Sequence, residues 1–156
     1  MNRSVLNDTA LLLLRLGGLG LALAHGYGKV TALATGHGDG FIAGVGSLGF
    51  PLPALFAWAA ALGEFLGGLL VALGLGTRLA AAFAGFTMLV AGFVRHRALQ
   101  HLLVATGAMS VPDDTLRSWG NPELALVYLL VFSALVLAGG GRFSLDHLRA
   151  RHASSS

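Results

Sequence analysis

The segment Pro53–Leu73, PALFAWAAALGEFLGGLLVAL, carries a single charge, Glu64, in a run long enough to cross the hydrocarbon core of a bilayer as one helix. A soluble amphipathic helix keeps one polar face, and this segment has none. Working outward, three further windows have the same character: Val5–Ala24, Leu79–Val94, which extends to about residue 96, and Glu123–Ala138. The chain of 156 residues is 55% hydrophobic and 11% charged, a balance that places it among membrane proteins. The fold expected is an all-α four-transmembrane-helix bundle in one domain, residues 1–150, with spans near 5–24, 53–73, 79–96 and 123–138 and a frayed tail at 151–156.

The connections order the spans. Gly74-Leu75-Gly76-Thr77-Arg78 is so short that the second and third spans must be antiparallel neighbours. The first connection holds a modest apolar segment, Phe41-Ile42-Ala43-Gly44-Val45, closed by Gly49-Phe50-Pro51, and reads as a short interfacial helix rather than a span. Between the third and fourth spans lie an amphipathic stretch around Leu99, Leu102 and Leu103 and a polar turn at Pro112–Thr115. Asn121-Pro122-Glu123 has the pattern of a helix start, with Asn as cap, Pro in the first turn and an acid facing the positive end of the helix dipole.

Arg3 ahead of an apolar run ending in Ala22-Leu23-Ala24 has the outline of a cleavable signal, but Arg15 would spoil the apolar region of one, so a retained span is expected. An even number of spans puts both termini on one side. The basic residues Arg3, Arg78, Arg142, Arg149 and Arg151 then face Lys29, Arg95, Arg97 and Arg117, and the small excess points to cytoplasmic termini in the inner membrane. The net charge of +3 comes from basic residues scattered singly, which does not form the stripe that nucleic acid requires. There is no cysteine, so no thiol carries electrons here.

Charges inside spans need partners, because an isolated one at mid-bilayer costs about 2.5–3.5 kcal/mol on insertion scales. Counted from the window edges, Arg15 and Glu64 lie at about the same depth, roughly 15 Å from one membrane face at 1.5 Å per residue. They are therefore expected to pair, as a register lock or as a proton-exchanging site. Gly63 and Gly67 beside Glu64, and Gly18 and Ala22 beside Arg15, offer small surfaces for close helix contact. His25 and Lys29 follow the first span and His96 the third, so they share one side and can cluster. His96 and His101 are spaced wrongly for one helical face and His37 is isolated, so no metal site is expected.

Several segments in order resemble the DoxX-like family of four-helix membrane proteins. They are Arg15 with His25-Gly26 and Lys29; Leu48-Gly49-Phe50-Pro51; Glu64-Phe65-Leu66-Gly67-Gly68 through Leu73-Gly74-Leu75-Gly76-Thr77-Arg78; His96; Asn121-Pro122-Glu123-Leu124-Ala125; and Gly139-Gly140-Gly141-Arg142-Phe143-Ser144-Leu145-Asp146, where Gly140 replaces the family's usual proline. The resemblance implies a membrane component of an oxidoreductase system, some members being linked to sulfur compounds and quinone reduction and others to oxidative-stress complexes. On that basis a quinone or small hydrophobic substrate would bind between helices, with Glu64 and His96 as proton-exchanging catalytic groups and Arg15, His25 and Lys29 contacting substrate. The alternatives are a scaffold for a redox protein, with Arg149, Arg151 and Asp113-Asp114 as contact surfaces, or a small oligomeric transporter with Arg15 and Glu64 in its path.

Overall fold

The computed structural model describes residues 3–153, and Ser154–Ser156 of the expected tail lie outside the described residues. Four helices are long and apolar enough to cross a membrane, and the chain is an all-α, multi-pass membrane protein. Helix α1 runs Ser4–Ala34, α3 Pro53–Leu73 and α4 Thr77–Arg95. Between α1 and α3 lies the short helix α2, Asp39–Ser47. After α4 come α5, Ala98–Ala105, and α6, Asp113–Trp119, which with the last apolar helix α7, Glu123–Ala138, makes up the fourth membrane-length segment, Asp113–Ala138. Helix α8, Leu145–Ala153, takes in Arg151.

The largest departure from the sequence reading is α1. At 31 residues it is about 46 Å long, half as long again as the roughly 30 Å of a bilayer core. No proline falls between Ala24 and Ala34, and despite Gly26 and Gly28 the helix continues through His25 and Lys29 instead of ending before them. What fixes its position is glycine. A Cβ on Gly18 would stand 2.6 Å from the Gly68 carbonyl oxygen, and one on Gly68 2.5 Å from that of Gly18. Further along, a Cβ on Gly26 would collide with the backbone of Glu64 and Phe65. Such backbone approach lets dispersion and weak polar contacts hold helices together where lipid removes the hydrophobic drive. It also sets an antiparallel register in which Gly26 faces Glu64 and Arg15 faces the last turn of α3. The part of α1 level with α3 therefore starts near Arg15, about ten residues later than the apolar window suggests.

On the other side of the bundle α4 packs along α7. The core here is built of Ala80, Ala81, Ala84 and Met88 against Ala125, Phe132 and Leu135. Leu79, Leu130 and Leu137 point outward and are more than 70% exposed, as lipid-facing side chains are.

At the end where the termini lie, two clasps close the bundle. Arg15, 2% exposed, donates from Nη1 to the carbonyls of Gly140 (2.7 Å) and Phe143 (2.9 Å) and from Nη2 to Ala72 (3.2 Å). Asp146 accepts from the Gly76 amide at 2.7 Å, the Thr77 amide at 2.8 Å and the Thr77 hydroxyl at 2.7 Å. It thus caps the start of α4 from the far end of the chain. Burial pushes the Asp146 carboxyl up, but the Thr77 and Gly76 hydrogen bonds and the nearby Arg149 outweigh this and hold it below its ordinary value.

Two outcomes test this frame. Gly68→Leu should overpack the α1–α3 contact and lower stability by about 1–3 kcal/mol, whereas Gly44→Ala in α2, with open space around it, should leave the melting temperature in detergent unchanged or slightly raised. Because the folded pKa of Asp146 is depressed, its contribution is complete above the unfolded carboxyl value near 4 and fades as pH falls through the folded one. Asp146→Asn should therefore melt lower than the native chain at pH 7, and the gap should close as melts are taken toward pH 3.

Candidate functional site

The sequence pairs Arg15 with Glu64; the structure separates them. With the register set by glycine, the ten residues from Arg15 to His25 place Arg15 about 15 Å along the helix from the level of Glu64. Arg15 binds carbonyls at the terminal end, its buried Nε donating to nothing among the described residues. It is a structural clasp that stands apart from the polar groups around Glu64.

The partner of Glu64 is Lys29. The ammonium contacts both carboxylate oxygens, at 2.5 and 2.7 Å. Glu64 is 3% exposed and near the middle of α3, whereas the Lys29 side chain remains one-third exposed. Lys29 reaches this depth because its four-carbon stem extends down α1 from a backbone nearer the distal end, the end opposite the termini, as long basic side chains do at membrane boundaries. Phe41 of α2 lies 5.3 Å from the ammonium and covers it with a ring face. An ion pair with this geometry offsets part of the cost of burying a carboxylate, and losing either member would leave the other charge uncompensated.

A cavity of about 160 Å³ opens beside this pair, lined by Leu21, His25, Lys29, Glu64, Met88, Ala91, His96, Asn121, Leu124, Ala125 and Tyr128. It brings together four of the five site residues named from the sequence, all but Arg15. Its walls come from α1, α3, α4 and α7, and its polar groups run from Glu64 at mid-bundle up to His96 and Asn121 at the distal end.

Three π-helical turns flank this cavity: Ala22–Gly26 in α1, Gly63–Gly67 in α3 and Val90–Arg95 in α4. Each inserts a residue into the helical ladder and rotates the helix beyond it, a feature that recurs at functional sites. The first carries His25, the second Glu64, and the third delivers His96 just past its end. Glycines lie in each, and sequence periodicity gives no sign of the extra residue.

His96 is oriented by the chain segment before α7. Its Nδ1 lies 2.8 Å from the Trp119 carbonyl oxygen. A carbonyl only accepts, so Nδ1 carries the proton, and in the neutral ring Nε2 keeps its lone pair as a proton acceptor. The adjoining Gly120 has φ +72°, and a Cβ there would stand 2.9 Å from His96 Nδ1. Asn121 acts as the expected cap, its Oδ1 accepting the Glu123 amide at 2.8 Å, and it also lines the cavity. Tyr128, which the sequence reading passed over, stacks on Phe132 and meets His25 edge-on at a centroid distance of 6.5 Å. The one phenol on α7, in a helix otherwise mostly aliphatic, is the signal that could have found it, since tyrosine hydroxyls in apolar surroundings seek partners.

Four spans around a partly open, partly charged cavity define a polytopic membrane protein with a cluster of polar groups among its helices. The DoxX family model matches residues 10–97, and the chain belongs to the DoxX family. No curated protein and no solved structure matches it. The family match runs through α1 to α4 and takes in His25, Lys29, Glu64 and His96, whereas Asn121 and Tyr128 come from the part of the chain beyond it.

Gly120→Ala should disturb His96 in two ways, through the positive φ and through the Cβ contact. Unfolding in detergent should show a loss of about 1–3 kcal/mol, and the nitrogen-15 resonances of His96 should lose the signature of a fixed Nδ1–H tautomer.

Proposed function

We propose that this chain is a membrane component of an oxidoreductase system that holds the hydrogen-bonding head of a quinone in the cavity between α1, α3, α4 and α7. The observation that carries the reading is the convergence of Lys29–Glu64, His25, His96, Asn121 and Tyr128 on one intramembrane cavity whose remaining walls are apolar. Apolar walls with a few polar groups are what a ring with two carbonyl oxygens requires. At about 160 Å³ the cavity is smaller than the roughly 300–1,000 Å³ of pockets that enclose drug-sized ligands, suited to a single substituted ring and not to a large cofactor. DoxX membership supports the oxidoreductase context, since family members are commonly associated with such systems.

Quinone reduction takes two electrons and two protons. With no cysteine in the chain, the electrons come from a redox partner, and this chain's part is to bind the head and move protons. The Lys29 ammonium, balanced by Glu64, supplies one proton to a quinone oxygen, and His96, its Nδ1–H held by Trp119, takes up a proton at Nε2 and passes it to the other. His25 and Tyr128 contact the ring. Arg15 takes no part in this chemistry, which also weakens a transport path built on Arg15 and Glu64.

In this reading the termini lie in the cytoplasm. Arg15 adds to the positive charge of the terminal end, while Lys29 is neutralised by Glu64 within the bundle, and both shifts favour that orientation under the positive-inside rule.

Purification in mild detergent followed by solvent extraction should recover quinone near one per chain. Glu64→Gln paired with Lys29→Met, which removes both charges together, should fold and lose at least nine-tenths of it. Native protein that carries no quinone and does not bind added quinone in lipid would sink the proposal. A redox protein captured without quinone would favour the scaffold instead.

A further inference from the structure

Two of the residues lining the cavity belong to its outer wall. Leu124 is 51% exposed and His25 is exposed, both on the surface that faces lipid. They sit on either side of the seam between α1 and α7. This seam differs from the other helix contacts. Where α1 meets α3 its glycines interlock with backbone; where it faces α7, Gly17 and Gly20 present a smooth strip on which only the Tyr128 ring and Val131 rest. A Cβ on Gly20 would stand 3.1 Å from the Tyr128 hydroxyl, so this side chain lies across the seam with its hydroxyl over the glycine strip. Among the described residues that hydroxyl has no hydrogen-bond partner, and neither do the ring nitrogens of His25.

We infer that the cavity is filled from the bilayer, through the α1–α7 seam, with Tyr128 as a swinging gate. Nothing polar holds the gate shut, and the strip beneath it has no side chains to obstruct passage. Displacement of the ring widens the mouth of the cavity on the lipid side beside Leu124 and leaves a groove over Gly20, bounded by Val131 at Gly17, in which an apolar tail can lie. The ligand such a route admits is a membrane-dissolved amphiphile whose ring head meets the Tyr128 hydroxyl and His25 first, then Lys29 and His96. The identity of that head rests on the quinone reading, whereas the route does not.

The absence of cysteine from the chain supplies the test. Ala125→Cys places one thiol in the cavity wall at a position only 7% exposed, and Ala91→Cys, also lining the cavity, serves if the first variant fails to fold. In lipid vesicles N-dodecylmaleimide should label this thiol at least tenfold faster, relative to a free thiol in the same vesicles, than a charged methanethiosulfonate does. Adding Gly20→Phe, which plugs the seam on the exposed side of α1, should slow the lipophilic reagent about tenfold, with Gly20→Leu as a smaller plug. Equal relative rates for the two reagents, or a lipophilic rate untouched by either plug in folded protein, would overturn the route. A decyl-tailed quinone should protect the thiol. If it does not while Gly20→Phe still slows labelling, the portal stands and the quinone reading falls.

Discussion

Everything in this bundle depends on how closely α1 and α3 approach. The contact of Gly18 with Gly68, and of Gly26 with the backbone beside Glu64, leaves no room for even a methyl group. In lipid, where apolar side chains gain little by leaving their surroundings, such contact is the main source of helix adhesion. It is also what sets register. A slip of one helical turn would move Lys29 about 5 Å along α3, too far for both contacts to the Glu64 carboxylate, so the charge chemistry of the site is fixed by residues that carry no functional group.

The spans were legible because the bilayer imposes a length and an all-round apolar character on each helix, and Pro53–Leu73 met both without ambiguity. The short turn at Gly74–Arg78 was equally plain, since five residues permit only one arrangement of neighbours. Depth was harder. An apolar window marks where a helix tolerates lipid, not where it meets its partner, and α1 tolerates lipid over more residues than the membrane is thick. Counting from the window edge put Arg15 at mid-bilayer; the glycine contacts put it at the end of α3, where three carbonyls receive it.

The candidate site was legible as a set of residues that meet at one cavity and not as a geometry. His25, Lys29, Glu64 and His96 stood out as polar groups in or beside apolar runs, and all four line one cavity. The pairing of Lys29 with Glu64 was hidden because Lys29 lay outside the apparent span, and the three π-helical turns that aim the side chains leave no mark on hydrophobic periodicity. Asn121 was recognised for its local role as a helix cap, which masked its second position on the cavity wall. Tyr128 was missed because a tyrosine in an apolar helix suits a core as well as a site, and only the neighbouring glycine strip on α1 distinguishes them.

The Arg15 clasp has a consequence for how the chain is made. Its partners at Gly140 and Phe143 are separated from it by 125 and 128 positions, so one of the first residues synthesised waits for some of the last. Until α7 has been inserted and the turn after it has formed, the guanidinium has only the α3 carbonyl of Ala72 to bind. Assembly therefore ends where synthesis began, and a chain cut short between α7 and the closing turn would leave the buried guanidinium without two of its three carbonyl acceptors.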